Sequence, residues 1–382
     1  VEFGPRDVVV GDGQFDDGAI NDFLAVCDRA AAAGVSVNLL LSPHYFPNWA
    51  LEKWPQLQSC GGGFSSYCVH APEAHQVIEA SLRYLIPRIK DHPALHSLCL
   101  SNEPVSTELS ACPHTKAGWS RWLEDRHGTL DHLNACWGTT YEAFDQIPVP
   151  SPFPRTPMSV DFVRFNQEFF AGFHRWMADV IHEMAPTVPV HAKIMMGAHF
   201  PAHSYGIWSV SPELFGDLSQ INGNDCTCNV NVRGEWANGW LQEQMAYDFQ
   251  HSLNGKPIFN SENHLIADRD HRSIPPAHVY STLWQGALHG QSATTIWVWQ
   301  RTFDHSSDLE GSIIHRPACA EAVGRCNLDL NRLADEMTAL QRVPPVVALY
   351  WSQASVILAE KHPQALNRCY RNAAFLGIPL GS

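Results

Sequence analysis

Short apolar runs alternate with longer amphipathic ones along this chain. DFLAVCDRAAAAGV carries apolar residues at helical spacing and stops at Gly34, and SVNLLLS follows at once, apolar on successive residues as a strand buried on both faces is. The pairing repeats. HQVIEASLRYLIPRI leads to ALHSLCLS, and FNQEFFAGFHRWMADVIHEM to VPVHAKIMM. LQEQMAYDFQHSL closes near Gly255 before KPIFNS, and HVYSTLWQGALHG closes at Gly290 before ATTIWVWQ. LSQINGND reads as one more short strand and VEFG as a strand end. These β runs, most of them separated by helices, predict a parallel sheet with helical crossovers.

The loops refine the picture. Those after strands are long, SPHYFPNWALEKWPQLQSCGGGFSSYCVHAPEA being the extreme, whereas those before strands are short. This asymmetry predicts an α/β fold, a (β/α)8 TIM barrel over residues 1–342 with its site on the long-loop face. With one β run fewer than a full barrel needs, the barrel's first strand and helix are expected to lie upstream of Val1. After DLNRLADEMTALQRV, a proline pair opens PPVVALYWS, and the helical HPQALNRCYRNAAFLG follows. Residues 343–382 are therefore expected to begin a second α/β domain, contributing a single strand.

Composition excludes several functions. The chain has 382 residues, 45% of them hydrophobic, enough for a large core. Its 25 basic and 39 acidic side chains give a net charge of −14 with no basic run, which argues against nucleic-acid binding. No apolar stretch approaches the roughly 18 residues of a membrane-spanning helix. Eleven cysteines are an odd number, so the expectation is mostly buried, reduced thiols, Cys226 and Cys228 included, with Cys60 and Cys68 the one pair suggested by spacing. SCGGGF lacks the Gly-Lys of a phosphate loop, and GDGQFDDG lacks the spacing of a calcium loop, so no cofactor is called for. Thirteen Trp exceed ordinary usage; most fill cores, and a minority are expected to line a site.

In a barrel the chemistry sits at the C-terminal ends of strands. LSNEPV brings Asn102 and Glu103 there, since Pro104 cannot join a ladder and stops the strand. FNSENH brings Glu262, Asn263 and His264, QINGND brings Asn222, Asn224 and Asp225, and LLLSPHYFPNW brings His44, Tyr45, Asn48 and Trp49. TIWVWQR brings Trp297, Trp299, Gln300 and Arg301, the two indoles on one strand face by the two-residue period. A lone strand-end Glu is usually an ion-pair partner or a helix cap. Two on different strands are the minimum equipment for glycoside hydrolysis, one carboxyl giving a proton and the other, ionised, attacking the anomeric carbon. Asn102 suits the hydroxyl beside that carbon, and either indole suits the face of a sugar ring. His44 and His264 fit either substrate contact or satisfied core positions, and Asn224 joins them as a substrate-binding candidate.

These strand ends resemble clan A glycoside hydrolases, barrels with Asn-Glu after strand 4 and Glu after strand 7. GWSRWLEDRHGTLDHLNACWGTTYEAFDQIPVP, with its HGTLDHLNACWGT core, is similar to the segment after the acid/base Glu in glycoside hydrolase family 42, the β-galactosidases. AAAAGVSVNLLLSPHYFPNWALEKWPQL, VDFVRFNQEFF and VVALYWS resemble further family segments. The resemblance implies a retaining exo-β-galactosidase with Glu103 as acid/base, Glu262 as nucleophile and no cofactor needed for the reaction. It also implies a carbohydrate substrate and a homo-oligomer, a trimer built through the second domain. The chain departs from the family pattern at FSSYC, where Ser65 and Ser66 stand in place of a sugar-binding Arg, and at NGNDCTCN, which lacks a Tyr. The family's four-Cys zinc site is reduced to Cys68 and Cys112, too few thiols for a closed site unless His114 or another residue joins. A β-mannosidase or endo-glycanase of the same clan, and a catalytically inactive sugar-binding barrel, stay open as alternatives.

Overall fold

The computed structural model describes residues 1–60, 65–105, 113–150, 155–199, 209–228, 241–266, 273–300, 312–359, 361–378 and 380–381. A small antiparallel hairpin, β1 (Val9–Gly11) with β2 (Gln14–Phe15), precedes the main sheet. The sheet strands are β3 (Val37–Leu40), β4 (Leu95–Asn102), β5 (Val190–Met195), β6 (Asn222–Asp225), β7 (Ile258–Asn263) and β8 (Gln291–Ile296), in that order. β3 pairs with β4, β5 with β6, β6 with β7 and β7 with β8, each in parallel. Helices fill the crossovers, which makes this a TIM-barrel-like α/β fold. VEFG contributes a single parallel bridge, Glu2 to Leu40, rather than a strand. No helix among the described residues is long and apolar enough to cross a membrane.

The chain forms two compact units, one comprising Val1–Ala192, Ile207–Ser219 and Gln353–Ala359, the other the remainder, and it first passes from one to the other inside β5. In the first unit the helix Gly18–Ala32 ends before Gly34, whose φ of +68° reverses the chain into β3 at no steric cost. The 28-residue helix Pro157–Met184 starts at Thr156, whose hydroxyl accepts from Ser159 N. Its apolar face buries Phe162 and Phe165 in a cluster with Trp119, Leu123 and Leu133, the core-filling role expected for most indoles.

In the second unit the helices Pro276–Leu288 and Pro317–Arg332 bury Val279, Leu283, Val323 and Cys326 in one cluster. The helix Pro317–Arg332 gives way at Leu333 to a second helix, Ala334–Gln341. The C-terminal stretch corrects the single-strand expectation. β9 (Val347–Ala348) pairs in parallel with β10 (Leu380–Gly381), and Leu380 packs on buried Leu241, Met245 and Tyr370. Two residues are too few for any alternation to announce β10 in the sequence.

Candidate active site

In the first unit, β4 is buried from Ser97 to Ser101 and delivers Asn102 as its last, partly accessible residue. Glu103 follows with φ +42°, and Ser42, two residues beyond β3, has φ +35°. Left-handed backbone at a non-glycine residue costs about 1–3 kcal/mol and concentrates at functional sites. Glu103 is doubly constrained, since Pro104 restricts the residue before it. Among the described residues the Glu103 carboxylate has neither a hydrogen-bond nor an ion-pair partner, so the ion-pair and capping roles find no support there. His44 is half-buried, its ring 4.3 Å from that of Tyr45. Ser42 donates its hydroxyl to Glu2. Trp49 donates Nε1 to Val9 O at 2.8 Å, so this indole is tied to the hairpin.

In the second unit, Glu262 sits in β7 at 7% exposure. Lys193 of β5, equally buried, donates its ammonium to Glu262 Oε2. His264 Nε2 lies 3.3 Å from Glu262 Oε1 and 3.5 Å from Asp225 Oδ1, and its ring is 6.2 Å from Trp297. Burial pushes the Glu262 carboxyl up, but the His264 hydrogen bond and the charge of Lys193 outweigh it and leave its pKa below the usual 4.5. Glu262 is therefore an ionised carboxylate at neutral pH, held in a site dry enough to make its charge effective. Asp225, Glu262 and His264 have the spacing of a metal-ligating triad. Lys193 already neutralises Glu262, and a divalent cation there would meet an ammonium, so the arrangement favours the ion pair.

A buried polar network supports this carboxylate. Asn260, also on β7, accepts from Glu262 N at 3.2 Å and donates to Cys226 O at 3.0 Å and to the Tyr247 hydroxyl at 2.8 Å. Tyr247 donates to Glu243 Oε1 at 2.7 Å. Burial raises the Glu243 carboxyl to about 8, so it is mostly protonated at neutral pH. Burial likewise raises the Cys226 and Cys228 thiols, both free and inert as expected of buried cysteines.

The structure gathers Glu262 with His264 and Trp297, but it places other candidates differently. Asn224 is fully buried and donates to Gln250 Oε1 at 2.7 Å, so its amide serves the helix Leu241–Asn254. Trp297 and Trp299 do not share a strand face: β8 ends at Ile296, because β7 offers its last paired residue at Asn263. The indoles lie in the turn beyond, 38% and 46% exposed. Arg301 and Cys112 lie outside the described residues, as do the Cys60 side chain and the Gly61–Gly63 run; Cys68 is buried. Sequence reasoning left Lys193 out and passed over Asp225. A lone cation inside the apolar run VPVHAKIMM was the available signal, since a buried ammonium requires an acidic partner.

A parallel sheet with crossover helices, carrying carboxylates at its strand ends, is the architecture of barrel glycoside hydrolases. The chain belongs to glycoside hydrolase family 42, described as beta-galactosidase, whose pattern matches residues 12–312. A β-galactosidase of Arthrobacter sp is 30% identical over 216 residues, 52% of this chain and 30% of that protein. The β-galactosidase LacZ of Heyndrickxia coagulans is 22% identical over 371 residues, covering 89% of this chain and 52% of its own length. The chain thus spans about half the length of such a relative, or less. An exo-carrageenase of the same family from Bacteroides ovatus superposes with a TM-score of 0.85 at 25% identity, over 100% of this chain and 55% of that one.

Proposed function

We propose that this chain is the catalytic part of a retaining exo-β-galactosidase acting by double displacement. Glu262 attacks the anomeric carbon, and Glu103 protonates the departing oxygen and then activates water. Asn102 binds the neighbouring hydroxyl, His44 and His264 contact the sugar, and Trp297 or Trp299 lies against its ring. The observation that carries the reading is the state of Glu262: buried, yet kept ionised by Lys193 and His264, as a nucleophile must be. The left-handed backbone of Glu103 supports the second role. No cofactor takes part, and the full-length protein assembles as a trimer, checked by light scattering.

The test is turnover of nitrophenyl glycosides. Glu262→Ala abolishes hydrolysis whatever the leaving group. Glu103→Ala retains glycosylation with nitrophenyl leaving groups, because a phenolate needs little protonation, and azide restores its turnover. Equal loss in both variants without azide rescue would overturn the roles. Faster hydrolysis of the mannoside than of the galactoside would overturn the substrate.

A second reading is favoured by the likeness to the exo-carrageenase: the substrate is an anionic galactan, trimmed from its end. Release of saccharide from carrageenan oligosaccharides but not from neutral galactosides distinguishes it.

A further inference from the structure

We infer that His127, His132 and Cys136 form a binding site for a borderline-soft divalent metal ion, Zn²⁺ in the first place, separate from the glycosidase chemistry. One ligand atom from each of the three lies within 4.8 Å of the other two. His132 Nε2 and Cys136 Sγ are 3.7 Å apart. Around a tetrahedral zinc, with Zn–N of about 2.0–2.1 Å and Zn–S of about 2.3 Å, such a pair stands about 3.5 Å apart. For His132 and Cys136 this is a shift of a few tenths of an ångström, and His127 closes on them from within 4.8 Å. Imidazole and thiolate are the donors that Zn²⁺ takes, and three of them leave a fourth position for water.

The backbone builds this cluster. His132 and Cys136 are four residues apart on the helix Leu130–Trp137, so they project from one face. That helix is fixed at its start by Thr129, whose hydroxyl accepts from His132 N, and at its end by Gly138. His127 ends the preceding helix, Pro113–His127, and Gly128, at φ +70°, folds the two helices together. His127 and His132 rings are 5.7 Å apart.

Asp161, on the helix Pro157–Met184, completes the arrangement. Its Oδ2 lies 3.0 Å from His127 Nε2 and accepts from Trp137 Nε1 at 2.9 Å. A carboxylate against one ring nitrogen fixes the tautomer and orientation of a histidine that ligates through the other, and raises its basicity. The Trp137–Asp161–His127 bonds explain why His127 is ordered. His132 and Cys136 come from the next helix, and their ligand atoms lie within 4.8 Å of that of His127, the arrangement a shared ion would use. An occupied site clamps the two short helices to each other, with Asp161 linking the clamp to the long one.

The test is titration of the full chain, reduced and freed of metal, with Co²⁺, followed by displacement with Zn²⁺. The wild type should take up one equivalent with the near-ultraviolet absorption of a thiolate–cobalt bond. Cys136→Ser should abolish that absorption. Asp161→Asn should keep it but weaken Co²⁺ affinity about 10–100-fold, as loss of a ligand-orienting carboxylate does. Cys369→Ser, which changes the other exposed free thiol among the described residues, should leave it unchanged. Cys136 is exposed, so its variant should fold, and circular dichroism without metal checks this. Absence of the absorption in the wild type, or its persistence in Cys136→Ser, overturns the site.

Discussion

Lys193→Met removes the only ammonium in contact with Glu262 among the described residues and keeps the volume of the side chain nearly constant. Both partners of this pair are 7% exposed, so water cannot replace the lost charge, and only His264 stays against the carboxylate. Breaking a buried pair in this way costs about 3–5 kcal/mol of stability. In the wild type the Glu262 pKa lies below 4.5; its ion pair stabilises the fold above that value, and the contribution is lost as pH falls through the folded pKa. In the variant, burial, the largest influence on this carboxyl, is opposed only by His264, so its pKa should rise relative to the wild type and the stability that the lowered pKa gave at neutral pH should shrink. The stability gap between the two proteins should therefore be widest near neutrality and close on acidification. Urea unfolding followed by tryptophan fluorescence at several pH values measures it, and the acidic limb of kcat/KM should move to higher pH in parallel. The double variant Lys193→Met/Glu262→Gln, with both charges gone, should be more stable than Lys193→Met alone. A gap independent of pH, or a double variant no better than the single, would refute the ion-pair argument.

Glu243→Gln should be close to neutral at acidic pH and relatively stabilising above about 8. The wild-type carboxyl, raised to about 8 by burial, contributes stability below its unfolded pKa and loses it as pH rises through the folded value, whereas the amide has no proton to lose; thermal unfolding across this range checks the sign. Asn260→Ala strands buried groups at Glu262 N, Cys226 O and the Tyr247 hydroxyl; at about 1–3 kcal/mol for each group left unsatisfied, a loss of at least about 2 kcal/mol is expected in urea unfolding, with kcat reduced. Gly138→Ala places a Cβ on a residue at φ +70° and should cost about 1 kcal/mol through the helix Leu130–Trp137, measured in the same assay.

The period of the hydrophobic pattern determined the class of fold. Continuous apolar runs such as SVNLLLS and ALHSLCLS can satisfy their backbone only in a sheet covered on both faces, and the helical runs between them can return the chain only by parallel crossovers. Pro104 determined, equally locally, that β4 ends where Glu103 begins. The tertiary structure alone decided what depends on which strand meets which. Trp297 and Trp299 looked like strand residues because their own sequence permits a strand; β8 stops at Ile296 because the partner ladder of β7 runs out at Asn263. Asn224 and Asp225 are adjacent and equally polar, yet one amide goes to Gln250 and the other carboxylate to His264, a choice made by neighbours distant in sequence. The pairing of Lys193 with Glu262 spans 69 residues, and no local pattern encodes it. A charge state is a property of the surroundings, and here burial, an ammonium and an imidazole brought together from distant parts of the chain set that of Glu262.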